Sequence, residues 1–228
     1  MDCFAAPAMT SSDRKMRTPD SWQTARATVT IAVLTVFAYL VLSIFRIEMW
    51  AIYAGSFIPA TLTDDPGFFR LPFALTPLSA TFLHAGLFHL VFNLLMLLIC
   101  GRAVEGALGP LNLIILYLVG AFAAAAGQFA LDPTSMVPMI GASGAISAVI
   151  GAYAMLFGRN RVPVADPRLA LWLNVLWLLA AWVILQLAMA LVFSASGGIL
   201  LAAGAHVGGF VAGVILARPL LLWRYRKA

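Results

Sequence analysis

The sequence predicts an all-α, polytopic membrane protein with six transmembrane helices. Of its 228 residues, 63% are hydrophobic and only 10% are charged, and the mean hydropathy is +0.98. A soluble domain averages about 45–50% apolar and about 25% charged residues, so this composition cannot supply a soluble surface. Most of the chain is therefore expected to lie in lipid.

Six apolar stretches approach the length of about 20 residues that a helix needs to cross a bilayer. They occupy residues 27–45, 88–100, 111–130, 140–157, 169–193 and 198–217. The second and fourth stretches are short or carry polar residues, so hydropathy defines them less clearly than the others. The predicted domains are a cytoplasmic tail at 1–26, a six-helix domain at 27–217 and a basic cytoplasmic tail at 218–228.

The basic residues predict the orientation of these helices. With six helices both termini lie on one side, and that side holds twelve of the fourteen Lys and Arg residues. Only Arg46 and Arg70 fall on the other side. Because Lys and Arg are enriched in cytoplasmic loops, both termini are expected in the cytoplasm. The basic cluster at 14–17 precedes an apolar stretch longer than a usual signal-peptide core, which indicates a signal anchor.

Composition also excludes several classes of function. The net charge is +5, yet no basic stripe with interleaved aromatic residues is present, so no nucleic-acid partner is predicted. Cys3 and Cys100 lie in a tail and in an apolar stretch, and a zinc site needs about four closely spaced ligands. We therefore expect no metal and no cofactor, and the lipid bilayer is the first partner.

Polar side chains near the outer ends of three apolar stretches are the candidate functional residues, because such groups are costly in a membrane. His84, His89 and Asn93 lead into the second stretch, and His89 and Asn93 share a helical face. Ser143 begins the fourth stretch, and His206 lies inside the sixth. At about 1.5 Å per residue, these groups lie about 5–12 Å below the outer surface. Their convergence predicts one polar cavity.

Small residues indicate how the fourth and sixth helices meet. They recur at helical spacing after the serine and around the last histidine, which lets backbones approach closely in lipid; they are Gly144, Ala148 and Gly151, and the pairs Gly204/Gly208 and Gly209/Gly213. This contact would bring Ser143 Oγ within reach of His206, the arrangement of an activated nucleophile and its base.

The predicted catalytic unit is a Ser–His dyad. The acidic residues considered as a third member, Asp132 and Glu105, are not placed to orient the histidine. An oxyanion hole would come from the Asn93 side chain, the Ser143 backbone N–H and His89, and one such donor contributes about 2.7–4 kcal/mol to lowering the barrier.

Four motifs in a fixed order give the chain a family resemblance. They are His84-x4-His89-x3-Asn93, Gly101-x3-Glu105-x3-Gly109, Gly141-x-Ser143-Gly144 and Ala205-His206-x2-Gly209-x3-Gly213, spread over residues 82–213. On these residues the chain resembles a rhomboid intramembrane serine protease. A lone Gly-x-Ser-Gly motif is a weak signal, whereas the ordered set is highly specific.

The resemblance implies a six-helix bundle whose water-filled cavity opens to the outside. It implies cleavage of transmembrane protein substrates near their outer membrane boundary, with Ser143 and His206 as the dyad and His89 and Asn93 as oxyanion donors. Structural roles near the site would fall to His84, Gly141, Gly144, Gly209 and Glu105. The compact plan and short tails suggest a bacterial inner membrane, with the site open to the periplasm.

Two positions depart from the family pattern. Many relatives carry an aromatic residue four positions after the serine, where this chain has Ser147, which could bond to a water or to the imidazole. Many also carry Trp-Arg where this chain has Leu75-Thr76, so the outer loop would be anchored through Phe68, Phe69 and Arg70.

Each candidate also has a simpler interpretation. Ser143 alone suits a helix N-cap, His206 could only bridge helices, and Asn93 could only join helices by hydrogen bonds. Glu105 could satisfy backbone donors or pair with Arg102. The main alternative function is a non-proteolytic, rhomboid-like protein that binds membrane clients, although such proteins typically lack the serine or the histidine. A second alternative is a small transporter or proton channel. It would need ionisable groups along a path through the membrane, whereas here they cluster near the outer side.

Overall fold

The computed structural model describes residues 25–63, 67, 69–158, 166–193 and 199–226. Within these ranges helices supply the regular structure, apart from one isolated antiparallel bridge between Phe57 and Met139. The α-helices are α1 (Arg26–Phe45), α2 (Glu48–Gly55), α3 (Thr76–Ser79), α4 (Leu87–Met96), α5 (Arg102–Leu108), α6 (Pro110–Leu131), α7 (Ser143–Phe157), α8 (Pro167–Phe193) and α9 (Ile199–Arg224). The all-α class is confirmed, whereas nearly all of the predicted 1–26 tail lies outside the described residues.

Among the described residues, five segments are long and apolar enough to cross a membrane: α1, the continuous run Leu87–Leu108, α6, α8 and α9. A π turn at Leu97–Gly101 joins α4 to α5 within the second of these. The last helix extends to Arg224, beyond the predicted end at residue 217. The chain is therefore a multi-pass membrane protein.

The predicted fourth stretch forms only the 15-residue helix α7. Its start is delayed because Gly141 has φ +110°, which no helix accommodates, and the Gly141 N–H donates to the carbonyl of Ala80 at 2.9 Å. At about 22 Å, α7 is shorter than the roughly 30 Å hydrocarbon core. Every residue from Ser143 to Ala152 is buried, so this part of α7 is surrounded by protein and not by lipid.

Glycines set the spacing between α9 and its neighbours. A Cβ at Gly209 would collide with the carbonyl oxygen of Gly144 on α7, and one at Gly213 would collide with the carbonyl of Ala148. On the opposite face, a Cβ at Gly208 would collide with the carbonyl of Ala123 on α6. Helix α9 therefore lies in backbone contact with both helices, at the small residues that the sequence singles out.

At the end of the second span, a buried carboxylate ties α5 to α1. Glu105 is 1% exposed and accepts hydrogen bonds from the Ala27 N–H (2.8 Å), the Thr28 N–H (2.7 Å) and the Thr28 hydroxyl (2.6 Å). The first N–H groups of a helix have no partner within it, and Glu105 satisfies two of those of α1. Glu105 lies in a helix and not in a loop, because the helix continues past the π turn to Leu108.

Candidate active site

A tight turn delivers Ser143 to the first position of α7. The positive φ of Gly141 reverses the chain, and the Ala142 N–H donates to His84 Nε2 at 3.5 Å. Ser143 then stands where backbone N–H groups lack helical partners and where the helix dipole is positive. A developing negative charge beside Ser143 would therefore meet free donors of the main chain.

Ser143 and His206 lie in hydrogen-bond contact. Ser143 Oγ is 3.0 Å from His206 Nε2, and the two residues are 7% and 5% exposed. Gly209 lies one turn after His206 and touches the Gly144 carbonyl, so backbone contact between α7 and α9 sets this distance. A neutral imidazole with an unprotonated Nε2 can accept the hydroxyl proton here.

Helix α8 supplies two further neighbours of the imidazole. Gln186 Nε2 lies 3.3 Å from His206 Nε2, and the Trp182 ring meets the imidazole edge-on, with centroids 6.1 Å apart. Trp182 Nε1 donates to Ser147 Oγ at 2.7 Å, and that hydroxyl donates to the Ser143 carbonyl at 2.7 Å. Ser147 thus binds Trp182 and the main chain, and the aromatic residue beside His206 comes from α8.

Sequence reasoning did not connect Trp182 or Gln186 with the site. A signal was available, because Gln186 is an amide in an apolar 27-residue helix and lies four residues after Trp182, on the same face. Both side chains are buried, at 3% and 7% exposure. Polar residues inside spans are candidates for function, and this rule applies to amides as well as to histidines.

His89 faces the turn before Ser143. A Cβ at Gly141 would lie 2.7 Å from His89 Nε2 and 3.7 Å from Ser143 Oγ, so both atoms border the space that this glycine leaves open. The Ala85 N–H donates to His89 Nδ1 at 3.4 Å, which leaves Nε2 to carry the proton of a neutral ring. His89 can therefore present an N–H donor toward the serine.

Asn93 lies one turn further along α4 and is 1% exposed. Its Nδ2 donates to the His89 carbonyl at 2.7 Å, while its buried Oδ1 has no partner among the described residues. An amide nitrogen carries two hydrogens, so this bond leaves one of them for another acceptor. Among the described residues, no hydrogen bond joins Asn93 to Ser143.

His84 supports the turn and the neighbouring histidine. Its ring packs edge-on against His89 with centroids 5.1 Å apart. Burial lowers the pKa of His84 to about 3, so the ring is neutral and Nε2 can accept from the Ala142 N–H. His84 therefore positions the backbone before Ser143.

The other predicted residues lie elsewhere or outside the described part. Glu105 binds the N-terminus of α1, and Asp132 accepts from Thr134, so neither carboxylate approaches His206. Phe69 stacks on Trp50 with centroids 6.0 Å apart, whereas Phe68 is not described. Within the described residues, no group of three or more His, Cys, Asp or Glu side chains could hold a metal ion.

Comparison with known proteins identifies the family. A family model described as the Rhomboid domain matches residues 74–223. Rhomboid protease GlpG of Yersinia pestis (strain Pestoides F) is 31% identical over 142 residues, which cover 61% of this chain and 45% of that protein. GlpG of Yersinia pseudotuberculosis (serotype O:3, strain YPIII) matches equally. Rhomboid-related protein 2 of Mus musculus is 31% identical over 103 residues, covering 41% of this chain and 33% of that protein. The chain thus spans less than half the length of these curated relatives. Because the family model covers more than half of the chain, this protein belongs to the Rhomboid family.

Proposed function

We propose that this chain is an intramembrane serine endopeptidase that hydrolyses peptide bonds in or near transmembrane segments of membrane proteins. The observation that carries the proposal is the 3.0 Å contact between Ser143 Oγ and His206 Nε2. A serine and a histidine in hydrogen-bond contact form the minimal unit of nucleophilic catalysis. The two Yersinia relatives are named as rhomboid proteases, which supports the same reaction.

The dyad performs acyl transfer in two halves. Ser143 Oγ attacks the substrate carbonyl carbon while its proton passes to His206 Nε2, and the resulting imidazolium returns that proton to the departing amine. The C–N bond breaks and leaves an ester on Ser143. Water then attacks this ester, gives a proton to Nε2, and releases the acid as that proton returns to Oγ.

The oxyanion of each tetrahedral intermediate needs donors on the side of Ser143. The proposed donors are the Ser143 backbone N–H, His89 Nε2–H and the second Nδ2 hydrogen of Asn93, and the nearness of His89 Nε2 and Ser143 Oγ to Gly141 supports the first two. Removing one donor of such a set typically costs about 2.7–4 kcal/mol in the barrier. No metal or cofactor is required for any step of this proposal.

We infer a six-helix bundle in which α7, the fourth crossing in chain order, completes the six together with the five longer segments. If Phe157 lies at the cytoplasmic boundary, the roughly 22 Å length of α7 puts Ser143 about 8 Å below the outer surface. Both termini would be cytoplasmic, and the site would open to the periplasm of a bacterial inner membrane. At this depth the site meets substrates near the outer end of their spans.

The depth and burial of Ser143 also limit the substrate. A helix hides its carbonyl groups in hydrogen bonds to the fourth following residue, so a transmembrane substrate must unwind locally before attack. We therefore expect cleavage beside helix-breaking residues, and the family resemblance implies small side chains at the cut.

The test is cleavage of a tagged single-span substrate by the purified protein in liposomes, comparing the wild type with Ser143→Ala and His206→Ala. We expect cleavage by the wild type and loss of it in both variants, with thermal stability retained. Undiminished cleavage by Ser143→Ala would contradict the mechanism. Substrate binding without cleavage by any form, across several substrates, would favour the client-binding alternative.

A further inference from the structure

We propose that Gln186 is a positioning residue that holds His206 in the tautomer required of a general base, with the proton on Nδ1 and Nε2 free to accept. This inference rests on the proposed function. It concerns the state of the imidazole before substrate arrives, so it can be tested independently of cleavage.

Because the proposed dyad has no carboxylate, neutral neighbouring groups decide which nitrogen of His206 carries the proton. In a Ser–His–Asp triad, a carboxylate on Nδ1 fixes the proton there. Here no carboxylate of the described residues hydrogen-bonds to His206, and Glu105 and Asp132 bind elsewhere. A neutral imidazole protonated on Nε2 would point an N–H at Ser143 Oγ and could not take its proton.

Gln186 contacts His206 Nε2, the nitrogen that must accept the serine proton. Its amide nitrogen lies 3.3 Å from His206 Nε2, the same atom that lies 3.0 Å from Ser143 Oγ. An amide nitrogen is only a donor, so its approach favours a lone pair on Nε2 and opposes a proton there. Since Gln186 is 7% exposed, little water competes for this contact.

The surroundings keep Gln186 in this position. Trp182 precedes it by one turn of α8 and is anchored by the 2.7 Å hydrogen bond from its Nε1 to Ser147 Oγ on α7. The face of α8 that carries Gln186 is thereby held toward the dyad. When Nε2 accepts the serine proton, rotation of the amide can present Oε1 as an acceptor, so one side chain suits both states of the imidazole.

Two substitutions separate positioning from packing. Gln186→Leu removes the donor with little change in size, and Gln186→Glu replaces it with a carboxylate that favours a proton on Nε2. Gln128→Leu is the matched control, because Gln128 is also a buried glutamine, at 2% exposure, but lies on α6. His89 on α4 is a titratable group close enough to His206 for its charge to matter, and it is unchanged in all three variants.

The primary measurement is ¹⁵N NMR of histidine-labelled protein in liposomes at neutral pH. The chain contains three histidines, and the His206 signals are assigned by their loss in His206→Ala. In the wild type we expect Nε2 to be unprotonated and Nδ1 protonated. Gln186→Leu should give a mixture of tautomers, Gln186→Glu should give a protonated Nε2, and Gln128→Leu should match the wild type.

The kinetic measurement is the pH profile of cleavage. General base catalysis typically contributes about 10²–10⁴-fold, so loss of the correct tautomer should lower kcat by about tenfold in Gln186→Leu with little change in KM. In Gln186→Glu the acidic limb should move to higher pH. A protonated Nε2 in the wild type, or His206 signals unchanged in Gln186→Leu, would overturn the role of Gln186 even if the wild type cleaves normally. If the wild type has the expected tautomer and does not cleave, the proposed function fails and the assignment of Gln186 stands.

Discussion

Replacing Glu105 with Gln tests whether this motif residue is structural. The carboxylate accepts three hydrogen bonds of 2.6–2.8 Å from Ala27 and Thr28. The amide of Gln keeps one oxygen, so its NH₂ group must face a donor, and one contact worth about 1.5–3 kcal/mol is lost. The surviving bonds lose their charge assistance, whereas the neutral side chain is cheaper to bury. The net expectation is a loss of about 2–3 kcal/mol in unfolding free energy, measured by denaturant titration in micelles.

Thr28→Val provides the control, because it removes only the hydroxyl bond and should cost about 1 kcal/mol. Glu105 lies about 24 Å along the same span from His89, so cleavage per folded molecule should not change in either variant. Wild-type stability of Glu105→Gln would refute the capping argument. A stable Glu105→Gln protein with strongly reduced turnover would show that Glu105 contributes to the reaction.

Three further predictions concern packing, the α8 contact and pH. Gly209→Ala should lower the unfolding free energy by about 1–3 kcal/mol and, because it displaces α9, reduce cleavage about 100-fold. The control is Gly55→Ala, whose added methyl group meets only ordinary contacts (3.5 Å to Leu83 Cδ1) and should change neither the unfolding free energy nor the cleavage rate. Trp182→Phe removes the bond to Ser147 and should lower unfolding free energy by about 1 kcal/mol, with slower turnover; an unchanged denaturation midpoint would contradict this. Because burial lowers the pKa of His84 from 6.5 to about 3, its contribution to stability is complete above pH 6.5 and is lost as pH falls from 6.5 toward 3. His84→Gln should therefore lose less stability over that interval, as thermal midpoints measured against pH would show.

The residues predicted from sequence are those whose presence in lipid needs an explanation. A serine and histidines inside apolar stretches are costly, and their order along the chain indicated where they would meet. The small-residue spacings likewise indicated the contact of α7 with α9, because only such residues allow backbones to touch. These features are local in sequence and carry their physical meaning without knowledge of the packing.

Apart from the signal of the Gln186 amide, the side of α8 that faces the protein could not be predicted in this way. Trp177 is 71% exposed and Trp182 is 3% exposed, although both lie in the same apolar helix. In a membrane the lipid-facing and protein-facing sides of a helix are both apolar, so hydropathy does not distinguish them. Which face meets His206 depends on how α8 is rotated against its neighbours, and that rotation is fixed by contacts such as Trp182 to Ser147.

The separation of Ser143 and His206 depends on the glycines between α7 and α9. Gly209 touches the carbonyl of Gly144 with no side chain between them, so the separation of Ser143 and His206 is set by two main chains. A side chain at such a contact could adopt another rotamer after a substitution, but a carbonyl in a helix cannot move without its helix. A methyl group added at position 209 must therefore shift α9 as a unit, and His206 shifts with it. The glycines of the last motif thus help to set the geometry of the proposed dyad, although none of their atoms would take part in the reaction.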